Sequence, residues 1–242
     1  MRIPRIYLDL ELIVNTTVIL TPEAHRHIVN VLRLKEKSPL ILFNGNGNDY
    51  QASITSIEKK QTSIEILSEQ CNPTSSPLNI ELGLSLIKSD KFDFAIQKAV
   101  ELGVASITPI AAMRSTVKLD VKREPKRLAH WQGIIQSACE QSGQSRLPTL
   151  NPVSSLSDWL ACSALPGIAF EPTATHSLSS LKINDTIRVV IGPEGGFTDN
   201  ELGEIKQQNF SVARLGPRIL RAETAAVTAL TSLQLLYGDL NI

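Results

Sequence analysis

Cysteine is scarce in this 242-residue chain: Cys71, Cys139 and Cys162 are odd in number, widely spaced and form no C-x-x-C pair. No disulfide framework is expected, and a reducing compartment, the cytoplasm, fits best. Histidine is scarce too. The four histidines give only His25-x-His27, and an i, i+2 pair points to different faces of a helix, so no metal site is expected. Long apolar runs are missing: no stretch of 18 apolar residues occurs, and the opening MRIPRIYLDLELIV interleaves Arg2, Arg5, Asp9 and Glu11 with its apolar positions. Neither a spanning helix nor a secretory signal is expected. Net charge is missing as well. Twenty-four basic and twenty-four acidic residues cancel, so the whole-molecule field offers nucleic acid no long-range pull. Several catalytic motifs are also lacking. Gly45-Asn46-Gly47 has Tyr50 where a dinucleotide fingerprint needs its third glycine, and no G-x-x-x-x-G-K-[ST] or G-x-S-x-G occurs. Cys139 lies next to Glu140 without an identifiable base, which leaves nucleophilic catalysis unsupported.

What is present is an ordinary globular composition, 42% apolar and 20% charged. It excludes disordered, collagen-like and coiled-coil classes. The first seventy residues read as a β-rich unit with short runs at 40–43, 50–57 and 62–67, the latter two alternating apolar with polar. Asn44 to Asp49 carries Asn-Gly pairs suited to a tight hairpin. One helix interrupts this pattern, starting at Thr21-Pro22 and running through HRHIVNVLRL. The segment 71–77, with two prolines and no apolar periodicity, reads as a linker, which divides the chain into domains 1–72 and 73–242. Beyond it strands at 79–87 and 106–110 alternate with helices at 90–102 and 125–142, the order of an α/β layer fold. Phe92, Ala95, Ile96 and Ala99 put one apolar stripe on the first of these helices, and Gly103 follows as its cap.

The last third carries most of the information. TIRVVI (186–191) reads as a buried strand and runs into Gly192-Pro193-Glu194-Gly195-Gly196-Phe197. Thr198 and Glu201 then have capping-box spacing for a following helix. A second strand, 210–215, runs into Gly216-Pro217-Arg218-Ile219-Leu220-Arg221, and a final helix spans 222–237 before Gly238. Its Ala225, Thr228 and Ser232 form a face of small residues that suits close approach of another backbone. Glycines at the carboxyl end of a strand let a ligand reach bare backbone; they also make ordinary strand-to-helix turns. Glu194, and the lack of Lys or Arg inside GPEGG, argue against a polyphosphate. Arg114, Lys118, Lys122, Arg123, Lys126 and Arg127 stand against only Asp120 and Glu124 within 114–127. Such a run grips phosphates or forms a solvated helix face.

IGPEGGFTDNE (191–201) followed by LGPRILRAETAA (215–226) closely resembles the signature of the bacterial 16S ribosomal RNA uridine-N3 methyltransferases, members of the SPOUT superfamily. The likeness extends to MRIPRIY, HRHIVNVLRL (25–34), FDFAIQKAVELGVASITPI (92–110) and ACEQSGQSRLP (138–148). The resemblance implies an α/β architecture: a small PUA-like β-barrel, then a SPOUT-type α/β domain whose C-terminus is tucked into a trefoil knot. It implies S-adenosylmethionine as cofactor, 16S rRNA, within the small ribosomal subunit, as partner, and a homodimer. Carried over residue by residue, the cofactor site comprises Gly192, Gly195, Gly196, Leu215, Gly216, Ile219, Leu220, Thr224 and Ala225, with Phe170 and Glu171 as a further wall. Two departures stand out. Gln144 replaces an Arg frequent in the Q-x-G-R-x-R-x-P block, leaving Arg146, and Lys35 to Pro39 lacks the usual Gly-Asp turn.

Methylation of uridine N3 requires loss of an imide proton and presentation of the nitrogen lone pair to a methyl sulfonium. Arg221 is expected to stabilise charge developing on the uracil carbonyls, and Glu223 to orient the base or accept the proton. The alternative is that this pair forms a structural ion pair or a helix cap. RNA contacts are expected from Arg2, Arg5, His25, Arg33, Arg114, Lys118, Arg123 and Arg146. A noncatalytic RNA-binding or assembly module on the same fold, and methylation of another RNA or ring atom, are the competing functions.

Overall fold

The computed structural model describes residues 3–117, 122–178, 181 and 183–240. The chain forms two units, one of Met1–Ser75 with Cys139–Leu147, the other of Ser76–Ala138 with Pro148–Ile242.

In the first unit five strands, β1 (Arg5–Tyr7), β2 (Thr17–Ile19), β3 (Pro39–Phe43), β4 (Asn48–Ile57) and β5 (Thr62–Cys71), form one sheet in the order β1-β3-β4-β5-β2. The alternation read from the sequence sets its inner face: Tyr50, Ala52, Ile54, Ile64 and Ile66 are buried together with Leu40, Leu42 and Ile28. The Asn-Gly segment turns β3 into β4, with Gly45 and Gly47 at φ +92° and +95°, backbone that favours glycine. The helix expected from Pro22 to Leu34 is shorter. An α-turn, α1 (Pro22–Arg26), is capped by the Thr21 hydroxyl and continues as a π-turn over His27–Val31. Arg33 at φ +52° stands just past its end.

This unit runs three residues beyond the expected boundary at 72 and includes Cys139–Leu147, which the sequence reading assigned to the second domain. A polar cluster explains the difference. Asp49 accepts from both terminal nitrogens of Arg5 (2.7 and 2.8 Å) and from Asn72 Nδ2 (3.0 Å), and bonds closely to the Ser145 hydroxyl. Asn72 also donates to the Gly143 carbonyl at 3.0 Å, and the Tyr7 amide donates to Glu140 at 3.0 Å. Burial opposes ionisation of Asp49, but its donors Arg5, Ser145 and Asn72 outweigh burial and lower its pKa. Burial raises Glu140 and pushes the Cys139 thiol up to about 12. These contacts join residues far apart in sequence, which periodicity does not register.

The second unit is a parallel sheet clad in helices. In chain order it comprises β6 (Asn79–Ser85), α2 (Ser89–Glu101), β7 (Ser106–Ala111), α3 (Glu124–Ser142, whose last turn belongs to the first unit), β8 (Thr149–Leu150), β9 (Ser154–Ser155), α4 (Leu156–Ala161), β10 (Gly167–Phe170), β11 (His176–Ser177), β12 (Thr186–Ile191), α5 (Asp199–Gln207), β13 (Phe210–Arg214) and α6 (Ala222–Tyr237). The strand order is β11-β13-β10-β12-β6-β7-β8, with β9 also paired to β7. Strands 82 to 84, 168 to 170 and 187 to 191 are apolar at nearly every position because helices cover both faces. The exception is Arg188, fully buried, whose guanidinium donates to the carbonyls of Leu160 and Ser163 (3.0 Å each) and of Trp159, and lies 4.0 Å from the Trp159 ring centre.

Strand order and chain order disagree where it matters for the site. β12 and β13 follow β10 in the chain but flank it in the sheet, so the chain crosses from one side of β10 to the other between them. Such a reversal opens a crevice at the carboxyl ends of the strands. After β13 the chain returns as α6 against α2 and β12. Gln234, fully buried, fixes this return: its Nε2 donates to the Leu102 carbonyl at 2.9 Å and its Oε1 accepts from Ser76 Oγ at 2.7 Å.

Candidate functional site

Three loops leave the carboxyl ends of the adjacent strands β13, β10 and β12, and together with the start of α6 they line a cavity of about 430 Å³. The loop after β12 is shaped by what surrounds its glycines. A Cβ on Gly192 would stand 3.1 Å from the Phe197 ring, and one on Gly195 would stand 3.2 Å from Arg114 Cβ. Gly196 has φ +68°, and its amide donates to the Pro193 carbonyl at 2.9 Å, closing the turn. The expected capping box is formed: Glu201 N–H donates to Thr198 Oγ1, and Thr198 N–H donates to Glu201 Oε2 at 2.7 Å. Glu201 is buried, and its other oxygen accepts the Met113 amide at 2.8 Å. Next to it, Arg114 Nη1 donates to the carbonyls of Gly195 (3.0 Å) and Phe197 (3.3 Å). Loop and helix start are thereby tied to the chain leaving β7.

The loop after β13 is more open. Gly216 has φ +76°, and a Cβ on it would meet nothing within 4 Å. On the third side, the Glu171 amide donates to the Ala213 carbonyl at 3.0 Å, which extends the β10–β13 ladder to the cavity edge.

Of the residues expected to hold a cofactor, Phe170, Gly192, Gly195, Gly196, Leu215, Gly216, Ile219, Leu220 and Ala225 line this cavity. Thr224 does not: it is exposed on α6, whose first turn presents Ala222 and Ala225 instead. Arg221, at the head of α6, lines the cavity and its side chain caps nothing. Glu223 is absent from the lining. It is 8% exposed, with its carboxylate 3.6 Å from Lys91 Nζ, so its ion pair is made with Lys91 and not with Arg221, the pairing kept open above. Arg218 and Glu194 also face the cavity; both stand inside the quoted loop sequences, which is the signal that marks them.

The expected RNA contacts divide. Arg5 is withdrawn by its bonds to Asp49 and Ser145, with its side chain 7% exposed. His25 is buried and its Nδ1 is 2.8 Å from the Thr62 hydroxyl. Arg114 is exposed, yet its guanidinium serves the glycine loop. Arg33, Arg123 and Arg146 are exposed. Arg2 and Lys118 lie outside the described residues. Among the described residues no cluster of three metal-binding side chains occurs, and no helix is long and apolar enough to cross a membrane.

A family model described as an RNA methyltransferase domain matches residues 74–234, and one described as an RNA methyltransferase PUA domain matches residues 20–67. The chain is 38% identical over 246 residues to ribosomal RNA small subunit methyltransferase E of Buchnera aphidicola from Schizaphis graminum, covering 99% of each. It is 32% identical to the Bacillus subtilis protein of the same name, over 92% of this chain and 93% of that one. Two solved structures resemble it over 99% of its length and all of theirs. One is a methyltransferase from Legionella pneumophila with bound S-adenosylmethionine, at TM-score 0.96 and 36% identity. The other is ribosomal RNA small subunit methyltransferase E from Neisseria gonorrhoeae, also with S-adenosylmethionine, at TM-score 0.93 and 38% identity.

Proposed function

The chain belongs to the RNA methyltransferase family of these small-subunit ribosomal RNA enzymes, and we propose from that premise that it methylates N3 of a uridine in 16S rRNA. Its fold class is a PUA-like domain followed by a SPOUT-type α/β domain. S-adenosylmethionine is its cofactor. The cavity fits that group on its own terms: its volume is within the range of small-ligand sites, and Gly192, Gly195 and Gly196 give it a wall of bare backbone that side chains would fill. The single observation that carries the reading is this glycine wall at the strand reversal, in a chain that aligns end to end with methyltransferases solved with the cofactor.

When bound, the cofactor supplies an electrophilic methyl sulfonium. The protein's work is then to orient the uracil, exclude water and stabilise the imide as its proton leaves. Arg221 is the residue we assign to that charge, because it faces the cavity without an internal cap to hold it. Glu223 we assign to positioning: paired with Lys91, it holds the first turn of α6. The substrate base must be extruded from any stack, at about a few kcal/mol, and Arg33, Arg123 and Arg146 remain as exposed candidates to hold the flanking RNA. We extend the proposal to a cytoplasmic homodimer. Support for the second copy comes from Leu235, Leu236 and Leu240, all exposed at the end of the chain, and from the small face of α6.

Mass spectrometry of 16S rRNA from cells with and without this protein tests the reading. Loss of one 3-methyluridine upon deletion is the expected result. Loss of a different mark would correct the target atom, and an unchanged methylation pattern would leave a noncatalytic binding module.

A further inference from the structure

The charges of the cavity are segregated by strand. Its acids, Glu171 and Glu194, stand on the loops leaving β10 and β12; its arginines, Arg218 and Arg221, stand on the loop leaving β13. Glu171 is the acid turned onto the glycine wall. Apart from Gly196 itself and its two chain neighbours, its Oε2 is the only atom among the described residues within 4 Å of a Cβ built on Gly196, at 3.9 Å. The residue is anchored from both sides of its backbone, its amide donating to Ala213 and its carbonyl accepting from Ala174 at 3.1 Å. Its other carboxylate oxygen accepts from the Thr173 hydroxyl at 3.4 Å. Phe170, Ile191, Phe197 and Leu220 supply apolar lining to the same cavity. A carboxylate held beside bare backbone in partly apolar surroundings attracts a cation more strongly than it would in open water.

Methyl transfer changes one charge on the cofactor. The S–CH3 bond breaks with its electron pair left on sulfur, the N3 lone pair forms the new N–C bond, and the imide proton passes to solvent. A cationic sulfonium becomes a neutral thioether, while the adenosine and amino-acid parts are unchanged. An apolar pocket has only a methyl group with which to tell donor from product; a fixed carboxylate has a full charge.

We propose that Glu171 is a specificity-determining residue that distinguishes the cationic methyl donor from its neutral product, holding the first and releasing the second. This rests on the methyl-transfer reading above. Calorimetric titration of the full-length protein with S-adenosylmethionine, with S-adenosylhomocysteine, and with an analogue bearing an ammonium in place of the sulfonium tests it. Glu171→Gln keeps the shape and removes the charge. It is expected to weaken the donor and the ammonium analogue about tenfold, the scale of one partly screened charge pair, while the neutral product stays within about twofold. Equal losses for donor and product, or no loss for the donor, would overturn the proposal. A second arm needs no variant: the wild-type ratio of donor to product affinity should shrink from low to high salt, and a salt-independent ratio would overturn it as well. Wild-type protein that binds neither compound would defeat the methyl-transfer reading together with this one, so the two failures are distinguishable.

Discussion

Arg114 belongs to the basic run that suggests RNA contact, yet its guanidinium bonds to two carbonyls of the glycine loop, Gly195 and Phe197. Arg114→Ala removes both bonds and the side chain that packs over Gly195. A buried hydrogen bond from a charged donor contributes about 1.5–3 kcal/mol. Arg114 is exposed, so water recovers much of that, leaving roughly 1–2 kcal/mol for the pair. The deficit falls on loop order, which cofactor binding must then supply, so affinity for S-adenosylmethionine should fall roughly 5- to 30-fold. Saturated turnover should change little, because Arg114 touches no reacting atom. Arg114→Lys, with a single compact donor in place of a fork, should recover part of the loss. Titration calorimetry of both variants, beside binding of an rRNA fragment at fixed salt, separates the two roles of this residue. The reasoning fails if cofactor affinity stays within about twofold while RNA affinity drops, for that outcome would return Arg114 to the RNA surface.

Three further outcomes follow from the same geometry. Arg221→Ala should leave cofactor affinity intact and cut single-turnover methylation by roughly 10²-fold, the scale of one lost charge-stabilising donor; an unchanged rate removes Arg221 from the chemistry. Gly196→Val places a β-branched residue at φ +68° and a side chain in the glycine wall, so cofactor binding should vanish while the far-ultraviolet dichroism of the protein is retained; normal binding by the folded variant would show that this loop is not a wall. Asp49 has a folded pKa below its unfolded value, so its contribution to stability is present above the unfolded pKa and is lost as pH falls through the folded one. Thermal melts of Asp49→Asn should therefore show a weaker loss of stability on acidification than the wild type, and parallel pH profiles would contradict the assignment.

The sequence makes some of this legible because the responsible forces are local. TIRVVI, the Thr198–Glu201 box and the stripe on α2 each follow from neighbours within one or two turns, and strand 186–191 and helix 222–237 lie where the pattern puts them. β1, β2, β8 and β9 are two or three residues long, too short for any period, and only their partners make them strands. Arg188 shows the same limit from the other direction. A basic residue in an apolar strand reads as a solvent-facing position, whereas its shell of carbonyls and the Trp159 ring come from α4 and the loop after it. Arg5 and His25 show the same limit: their basic type is visible in the sequence, and the distant Asp49, Ser145 and Thr62 that hold them are not.

A glycine loop has a physical difficulty that explains why its neighbours matter more than its own composition. Glycine admits a ligand to the backbone, but it also has the most conformational freedom to lose, so a wall made of Gly192, Gly195 and Gly196 does not hold its own shape. Here rigidity is supplied from outside. The Phe197 ring packs at Gly192, Arg114 holds the carbonyls of Gly195 and Phe197, and buried Glu201 ties the start of α5 to Met113. Two of these three supports come through consecutive residues, Met113 and Arg114, on the chain leaving β7, where the basic run begins. A perturbation of that chain therefore reaches the glycine wall through two named contacts, and on the proposed function RNA held at Arg114 would share those contacts with the methyl donor. Binding of one should alter the affinity for the other by an equal factor in both directions, because coupling between two ligands on one element is reciprocal. Calorimetric titration of cofactor with and without an rRNA fragment, and of the fragment with and without cofactor, measures both factors. Equal and non-unit values are expected for the wild type, and values near one are expected once Arg114→Ala and Glu201→Gln have cut the two ties. Coupling that survives in the double variant would mean that the two ligands communicate by another route.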